Sequence, residues 1–170
     1  GVQFEVAKSL GVPTMHLHAP HQMPDSPAAA AELKQRIDDL GIKPTIVFAC
    51  FEGESYDTIP IVIETIGLVP IATRAQRLAI LKQTVDFAAG LDVDAVGLHV
   101  GFVPHDSSDP EYAAIVQTLQ EACDFAIKSG VNIHLETGQE PADVLLEFLQ
   151  TVDRPNLFIN FDPANMILYG

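Results

Sequence analysis

Five short apolar runs, separated by connections with helical character, constrain this chain more than any other feature. They are Val12-Pro-Thr-Met-His-Leu-His18, Pro44-Thr-Ile-Val-Phe-Ala-Cys50, Asp94-Ala-Val-Gly-Leu-His-Val100, Val131-Asn-Ile-His-Leu-Glu136 and Asn156-Leu-Phe-Ile-Asn-Phe161. The second is almost continuously apolar, as a strand buried on both faces must be. Between the runs, Ala28 to Leu40 sets Leu33, Ile37 and Leu40 at helical spacing and stops at Gly41. From Thr73, the stripe Leu78, Leu81, Val85, Ala88 and Ala89 predicts a helix closed by Gly90. Asp109-Pro110 supplies an N-cap followed by proline at the first helical position, opening a helix to Lys128. Pro141 opens another, carrying Val144, Leu145, Phe148 and Leu149. Strands alternating with helices imply a parallel sheet with right-handed crossovers.

Two architectures satisfy that alternation. An open, doubly wound nucleotide-binding sheet places a glycine-rich fingerprint after an early strand, and none is present. A (β/α)₈ barrel instead concentrates functional residues at the C-terminal ends of its strands. Here those ends carry His16/His18, Cys50/Glu52, His99, Glu136 and Asp162. The expectation is therefore an α/β (β/α)₈ barrel. Such a barrel needs about 250 residues, so five strands in 170 residues read as one incomplete barrel domain over 1–170. Both ends support that reading. Phe4 and Ala7 open on a helical face that Gly11 stops, with no initiator Met or leader pattern before it. At the other end the last strand is expected to have no covering helix.

Charge and cysteine content exclude several classes of function. Nine Lys+Arg against 23 Asp+Glu give a net charge of −14, the wrong sign for phosphate contacts on nucleic acid or for an anionic membrane surface. No apolar run approaches the roughly 18 residues needed to span a bilayer. Two cysteines, Cys50 and Cys123, are too few for a disulfide framework and suit a reducing, cytoplasmic setting. A homo-oligomer is compatible with all of this.

Glu136 and Asp162 form the strongest candidate pair. Each closes an apolar strand, and adjacent barrel strands aim both carboxylates into one mouth. Two hard oxygen ligands suit Mg²⁺ or Mn²⁺, and added imidazoles shift the preference towards Mn²⁺, Co²⁺ or Zn²⁺. The competing reading is that each merely caps the next helix or turn. His99, in Leu98-His99-Val100-Gly101, is a candidate substrate contact, as is His18, which shares a strand face with His16. His134 falls one layer beneath Glu136 on the same face. Asn165, three residues after Asp162, is either an amide for a substrate hydroxyl or a helix cap. Cys50 and Cys123 read as small apolar core residues. The connection over 51–72 is long enough to serve as a lid, and its middle, Ile59 to Leu68, as a short helix.

The stretches Glu136-Thr137-Gly138 and Asn160-Phe-Asp-Pro-Ala-Asn-Met166, with Leu98-His-Val-Gly101 upstream, resemble the sugar phosphate isomerase/epimerase family, the xylose-isomerase-like TIM barrels. The resemblance implies that these are strands two to six of eight. It implies further that Glu136 and Asp162 bind a divalent metal, with the remaining ligands beyond Gly170. Two departures narrow the choice. Asn165 and the histidine-free Ala49-Cys50 depart from the nuclease-like members, and Asn165 with Ala142 from the grip of many ketose epimerases. The basic residues do not offer a phosphate cup. Lys8, Lys34, Arg36, Lys82 and Lys128 fall in helices, Lys43 and Arg154 precede strands, and only Arg74 and Arg77 could approach the mouth. The implied activity is a metal-dependent sugar isomerase or epimerase of carbohydrate metabolism, moving a proton alpha to a carbonyl through an enediolate. Glu136 would be its base, with an unphosphorylated sugar or polyol as substrate. The alternatives are a polyol or keto-inositol dehydratase on the same site and a non-catalytic carbohydrate-binding barrel.

Overall fold

The computed structural model describes residues 2–20, 23 and 27–169 of the chain. Its strands β1 (Thr14–His18), β2 (Lys43–Phe48), β3 (Ala95–Leu98), β4 (Asn132–Glu136) and β5 (Leu157–Asn160) form one sheet in the order β1-β2-β3-β4-β5. Every neighbouring pair is parallel. That order decides between the two architectures. A doubly wound sheet reverses its strand order at a switch point, whereas unbroken sequential order is what a barrel requires. The chain is a five-stranded part of a (β/α)₈ barrel.

The helices are α1 (Val2–Ser9), α2 (Pro27–Leu40), α3 (Ile59–Thr65), α4 (Ile71–Gly90), α5 (Pro110–Ala126, continued by a 3₁₀ turn Ile127–Ser129), α6 (Ala142–Val152) and α7 (Pro163–Tyr169). Alternation along each strand separates two faces. Leu17, Val47, Val96, Leu98, Ile133 and Leu135 face the helices and join one core with Ile37, Leu81, Val85, Ile115, Leu119 and Phe148. The other face carries a row in continuous register across all five strands: His18, Phe48, Gly97, His134 and Phe158. Gly97 has a steric reason. A Cβ there would stand 2.7 Å from the Phe48 ring and 3.0 Å from Ile46 Cγ2, so its bare backbone makes room for the ring. The row also puts His134 one layer below Glu136, as the two-residue period requires; its ring packs 5.5 Å from that of Phe158.

Paired segments are one to three residues shorter than the apolar runs, but ladder bonds continue past the formal ends. Ala49 N–H donates to Gly97 O at 2.7 Å and Thr137 N–H to Asn160 O at 3.1 Å. The expectation of no helix after the last strand is corrected by α7. Asp162 Oδ1 accepts from the N–H groups of Ala164 at 2.8 Å and Asn165 at 3.3 Å, and Pro163 occupies the first helical position. This is the same Asp-Pro signal that opens α5 at Asp109-Pro110, where Asp109 Oδ1 accepts from Glu111 N–H at 2.8 Å.

Candidate functional site

The connection between β2 and α4 builds one side of the site. Gly67 has φ +73°, and a Cβ on it would lie 2.2 Å from the Val100 carbonyl carbon. Gly101 answers with φ +96°, where a Cβ would meet Ile66 O at 2.5 Å. Two glycines thus let two backbones cross in contact. The crossing is sealed by Val100 O, which accepts from Leu68 N–H at 2.8 Å and Val69 N–H at 3.2 Å. α3 is thereby pressed against the end of β3, and Val62, Ile66 and Leu68 are buried. Of the segment expected as a lid, Phe51, Val62, Ile66 and Leu68 are buried, while Tyr56, Ile59 and Ile63 stay exposed.

Between this connection, the ends of β3 and β4, and α7 lies a cleft of about 30 Å³, open to solvent. Tyr56, Val62 and Ile66 line it from the connection, His99 to Phe102 from the β3 end, Glu136 to Glu140 from the β4 end, and Asn165 and Tyr169 from α7. Among the described residues no Lys or Arg lines it. The two arginines that the sequence allowed near the mouth are committed elsewhere. Arg74 donates to Leu68 O at 2.8 Å, Val69 O at 2.5 Å and Glu111 Oε2 at 2.7 Å. Arg77 donates to Thr65 O and Gly67 O, each at 2.7 Å.

Glu136 ends β4 with its carboxylate in the cleft. Asn160, its register partner on β5, donates an Nδ2–H to Oε2 and fixes its orientation. Burial pushes the Glu136 carboxyl above its ordinary value; the Asn160 bond opposes this and the nearby Asp162 charge adds to it. Asp162 stands at the edge of the cleft. Its backbone N–H donates to Thr137 Oγ1 at 2.8 Å, and Thr137 Oγ1–H donates back to Asp162 O at 2.9 Å, a reciprocal clasp that ties the β5 end to the β4 end. Both backbone bonds received by its carboxylate fall on Oδ1. The capping reading of Asp162 is therefore correct as geometry, while its charge is felt at both Glu136 and His99.

His99 is held between two aromatic edges, Phe48 at 5.3 Å and Tyr56 at 5.7 Å. Desolvation lowers its pKa and the Asp162 charge opposes the fall, which favours the neutral imidazole. Asn165 lines the cleft from the first turn of α7. His18 does not line it: its Nδ1 lies 3.1 Å from Cys50 Sγ on the neighbouring strand end. Of the residues singled out from sequence, the cleft brings together Glu136, His99 and Asn165, with Asp162 at its rim and His18 apart.

Two features escaped the sequence. Cys50 read as an isolated apolar residue, yet it meets His18 across the β1–β2 pair; only the register could reveal that. Glu140 is 8% exposed and lines the cleft. Burial raises its pKa, against bonds from its own N–H, the Gln139 side chain and the Val103 N–H, and the nearby His105. It thus joins the loop after β4 to the loop after β3. A Glu four residues after Glu136, directly before Pro141, was the available signal.

Among the described residues no group of three or more His, Cys, Asp or Glu side chains is gathered for a metal ion. The donor set present is two carboxylates. Their chemistry fits a hard divalent cation; burial is the main cause of the raised Glu136 carboxyl and the Asp162 charge only adds to it.

The family model described as xylose isomerase-like TIM barrel matches residues 4–170. Among solved structures, a xylose isomerase domain protein from Planctomyces limnophilus is 49% identical with a TM-score of 0.93, over 96% of this chain and 59% of that one. A D-psicose 3-epimerase solved in the presence of D-fructose is 23% identical with a TM-score of 0.72, over 98% and 59% of the two chains. A xylose isomerase-like TIM barrel protein from Mycobacterium smegmatis, in complex with magnesium, is 16% identical with a TM-score of 0.72, over 99% and 57%. The chain thus spans under three fifths of the length of each. No curated protein matches it.

Proposed function

The chain belongs to the xylose isomerase-like TIM barrel family, and on that premise we propose that its site serves a divalent-metal-dependent isomerase or epimerase of an unphosphorylated sugar or polyol. The observation that carries the reading is Glu136: a half-buried carboxylate with a raised pKa, in a cleft with aromatic walls and no Lys or Arg in its lining. A base is most effective when its pKa approaches the working pH, and burial moves Glu136 in that direction. Glu136 removes the proton alpha to the substrate carbonyl, a role worth about 10²–10⁴ in rate. Asn160 keeps the carboxylate aimed. His99, neutral and wedged between rings, offers one ring nitrogen to a sugar hydroxyl, and Asn165 offers its amide to another. His18 lies at the same barrel mouth, where it meets a substrate only if that substrate extends beyond the cleft.

Glu136 and Asp162 would hold the metal, with the other ligands supplied by strands this chain does not include. When bound, Mg²⁺, Mn²⁺, Co²⁺ or Zn²⁺ acts there as a Lewis acid on the substrate oxygens. The Mycobacterium smegmatis neighbour's magnesium and the psicose epimerase's sugar support the reading by analogy of fold. Among the described residues no Lys or Arg lines the cleft to pair with a phosphate, which supports an unphosphorylated substrate.

The test is turnover of D-fructose, D-allulose and D-tagatose in D₂O by the protein carrying the whole barrel, with each metal restored after chelation. Deuterium incorporation at the epimerised carbon, lost in Glu136→Gln, is expected. Loss of water instead of exchange would transfer the site to the dehydratase reading. A metal at 100 times its Kd should also stabilise the fold by about 2.7 kcal/mol; no shift with any of the four would remove the metal from the proposal. Sugar binding without exchange would leave a non-catalytic barrel.

A further inference from the structure

Arg77 belongs to α4, yet its guanidinium is 4% exposed and makes no ion pair within bonding distance among the described residues. Enclosing a guanidinium away from solvent is costly unless its donors are used. Here both Nη groups are used on main chain, while Nε is buried without a partner among the described residues. Nη1 donates to Thr65 O and Gly67 O at 2.7 Å each, Nη2 reaches Glu52 O at 3.3 Å, and the head lies 5.5 Å over the Phe51 ring. Glu54 does the complementary work. Its Oε1 accepts from Gly67 N–H at 2.8 Å and its Oε2 from Phe51 N–H at 3.2 Å. The carboxylate therefore takes N–H groups, and the guanidinium takes C=O groups, from the same two places: the entrance to the connection at 51–52 and its exit at 65–67. Gly67 is held by both of its peptide groups at the point where it crosses Val100. The segment between these anchors contains Tyr56, which packs on His99, and α3, which supplies Val62 and Ile66 to the cleft.

We infer that Arg77 is a positioning residue which, with Glu54, staples the 51–67 connection over the end of β3 and so fixes the width of the cleft for its substrate. It touches no substrate. Its effect on activity rests on the sugar-isomerase reading; its effect on the fold does not, and the two are measured separately.

The experiment compares Arg77→Lys, which keeps the charge but loses the planar fork, and Arg77→Met, which keeps the stem alone, in the protein carrying the whole barrel. The first measurement is amide hydrogen exchange. Protection at Gly67 and Leu68 is expected to fall by about tenfold or more, while Ile133 and Leu135 in β4 keep theirs. Glu54→Gln, retaining one acceptor oxygen, should give a smaller loss at the same two amides. The second measurement is kinetic, with D-fructose or D-allulose: KM should rise by about tenfold and kcat stay within about twofold. Unchanged exchange at Gly67 and Leu68 in folded Arg77→Lys overturns the staple. Loss of protection with KM unchanged, or with kcat falling in its place, overturns the control of cleft width. If the parent protein turns over none of these sugars, it is the isomerase reading that fails, and exchange alone decides the staple. Where Arg77→Met does not fold, Arg77→Lys decides both.

Discussion

The cleft has two walls made in different ways. The wall formed by β3 and the 51–68 connection is closed: Val62, Ile66 and Leu68 are buried, and Arg74, Arg77 and Glu54 are spent on backbone groups. The wall formed by β4, β5 and α7 carries the carboxylates Glu136 and Asp162, held by one amide and one hydroxyl clasp. Behind it Phe158, Phe161, Ile167 and Leu168 are 46%, 69%, 84% and 64% exposed. The first wall is fixed by shape and the second carries the charge. The proposed base, Glu136, stands on the second wall.

The largest effect that would break this contrast lies at the glycine crossing. Gly67→Ala forces a Cβ to 2.2 Å from backbone at φ +73°, and should cost about 3 kcal/mol or more. Gly53 has φ +83° but nothing within 4 Å of the same atom, so Gly53→Ala should cost only about 1–2 kcal/mol, the left-handed penalty alone. Urea unfolding of the two variants separates contact from conformation. Equal losses would mean that the crossing adds nothing.

A second pair tests how open the other wall is. Leu135 is 1% exposed, and Leu135→Ala should cost about 2–5 kcal/mol. Phe161→Ala should change the stability of this chain by no more than about 0.5 kcal/mol, as an exposed side chain does. A large loss at Phe161 would mean that the β5 side is better covered than its exposure indicates.

Much of this division could be read from the chain itself. The alternation of runs and helices, with polar residues at strand ends, sufficed for the barrel and for placing Glu136 and His99 at strand ends beside one cleft, because strand period and strand end are local properties. Asp162-Pro163 held the signal for α7 as plainly as Asp109-Pro110 did for α5, but only seven helical residues follow it, too few for an amphipathic stripe. What sequence could not reveal depends on contacts between distant segments. Gly67 against Val100, Arg77 on the Gly67 carbonyl and His18 beside Cys50 each join separate elements that meet only when the chain folds.

Asp162 offers a smaller and sharper test, because cap and charge can be separated there. Asp162→Ala removes both and should cost about 1 kcal/mol. Asp162→Asn keeps an N-cap acceptor of similar strength while removing the charge, so its stability should stay within about 0.5 kcal/mol of the parent. If Asp162 also binds metal, Asp162→Asn should lose the thermal shift on Mn²⁺ addition while keeping the unshifted midpoint. Retention of the shift would reduce Asp162 to a cap.

The smallest effect is the most specific to the charged wall. Burial, with Asp162 beside it, raises the Glu136 pKa in the folded chain above the ordinary carboxyl value of about 4.3. The folded state therefore binds the proton more tightly than the unfolded state. Stability contributed by this group falls as pH rises from the ordinary value through the raised one, and the penalty is fully present above both. Glu136→Gln deletes that penalty. The variant should match the parent near pH 4 and have the higher midpoint near pH 7. Glu54 and Glu140, also raised by burial, remain in both proteins and cancel in the difference. Midpoints measured at the two pH values decide the sign: an advantage that grows on acidification would mean that the Asn160 bond, rather than burial, governs Glu136. Added Mn²⁺ should erase the variant's advantage at pH 7, because a cation stabilises the carboxylate that only the parent retains.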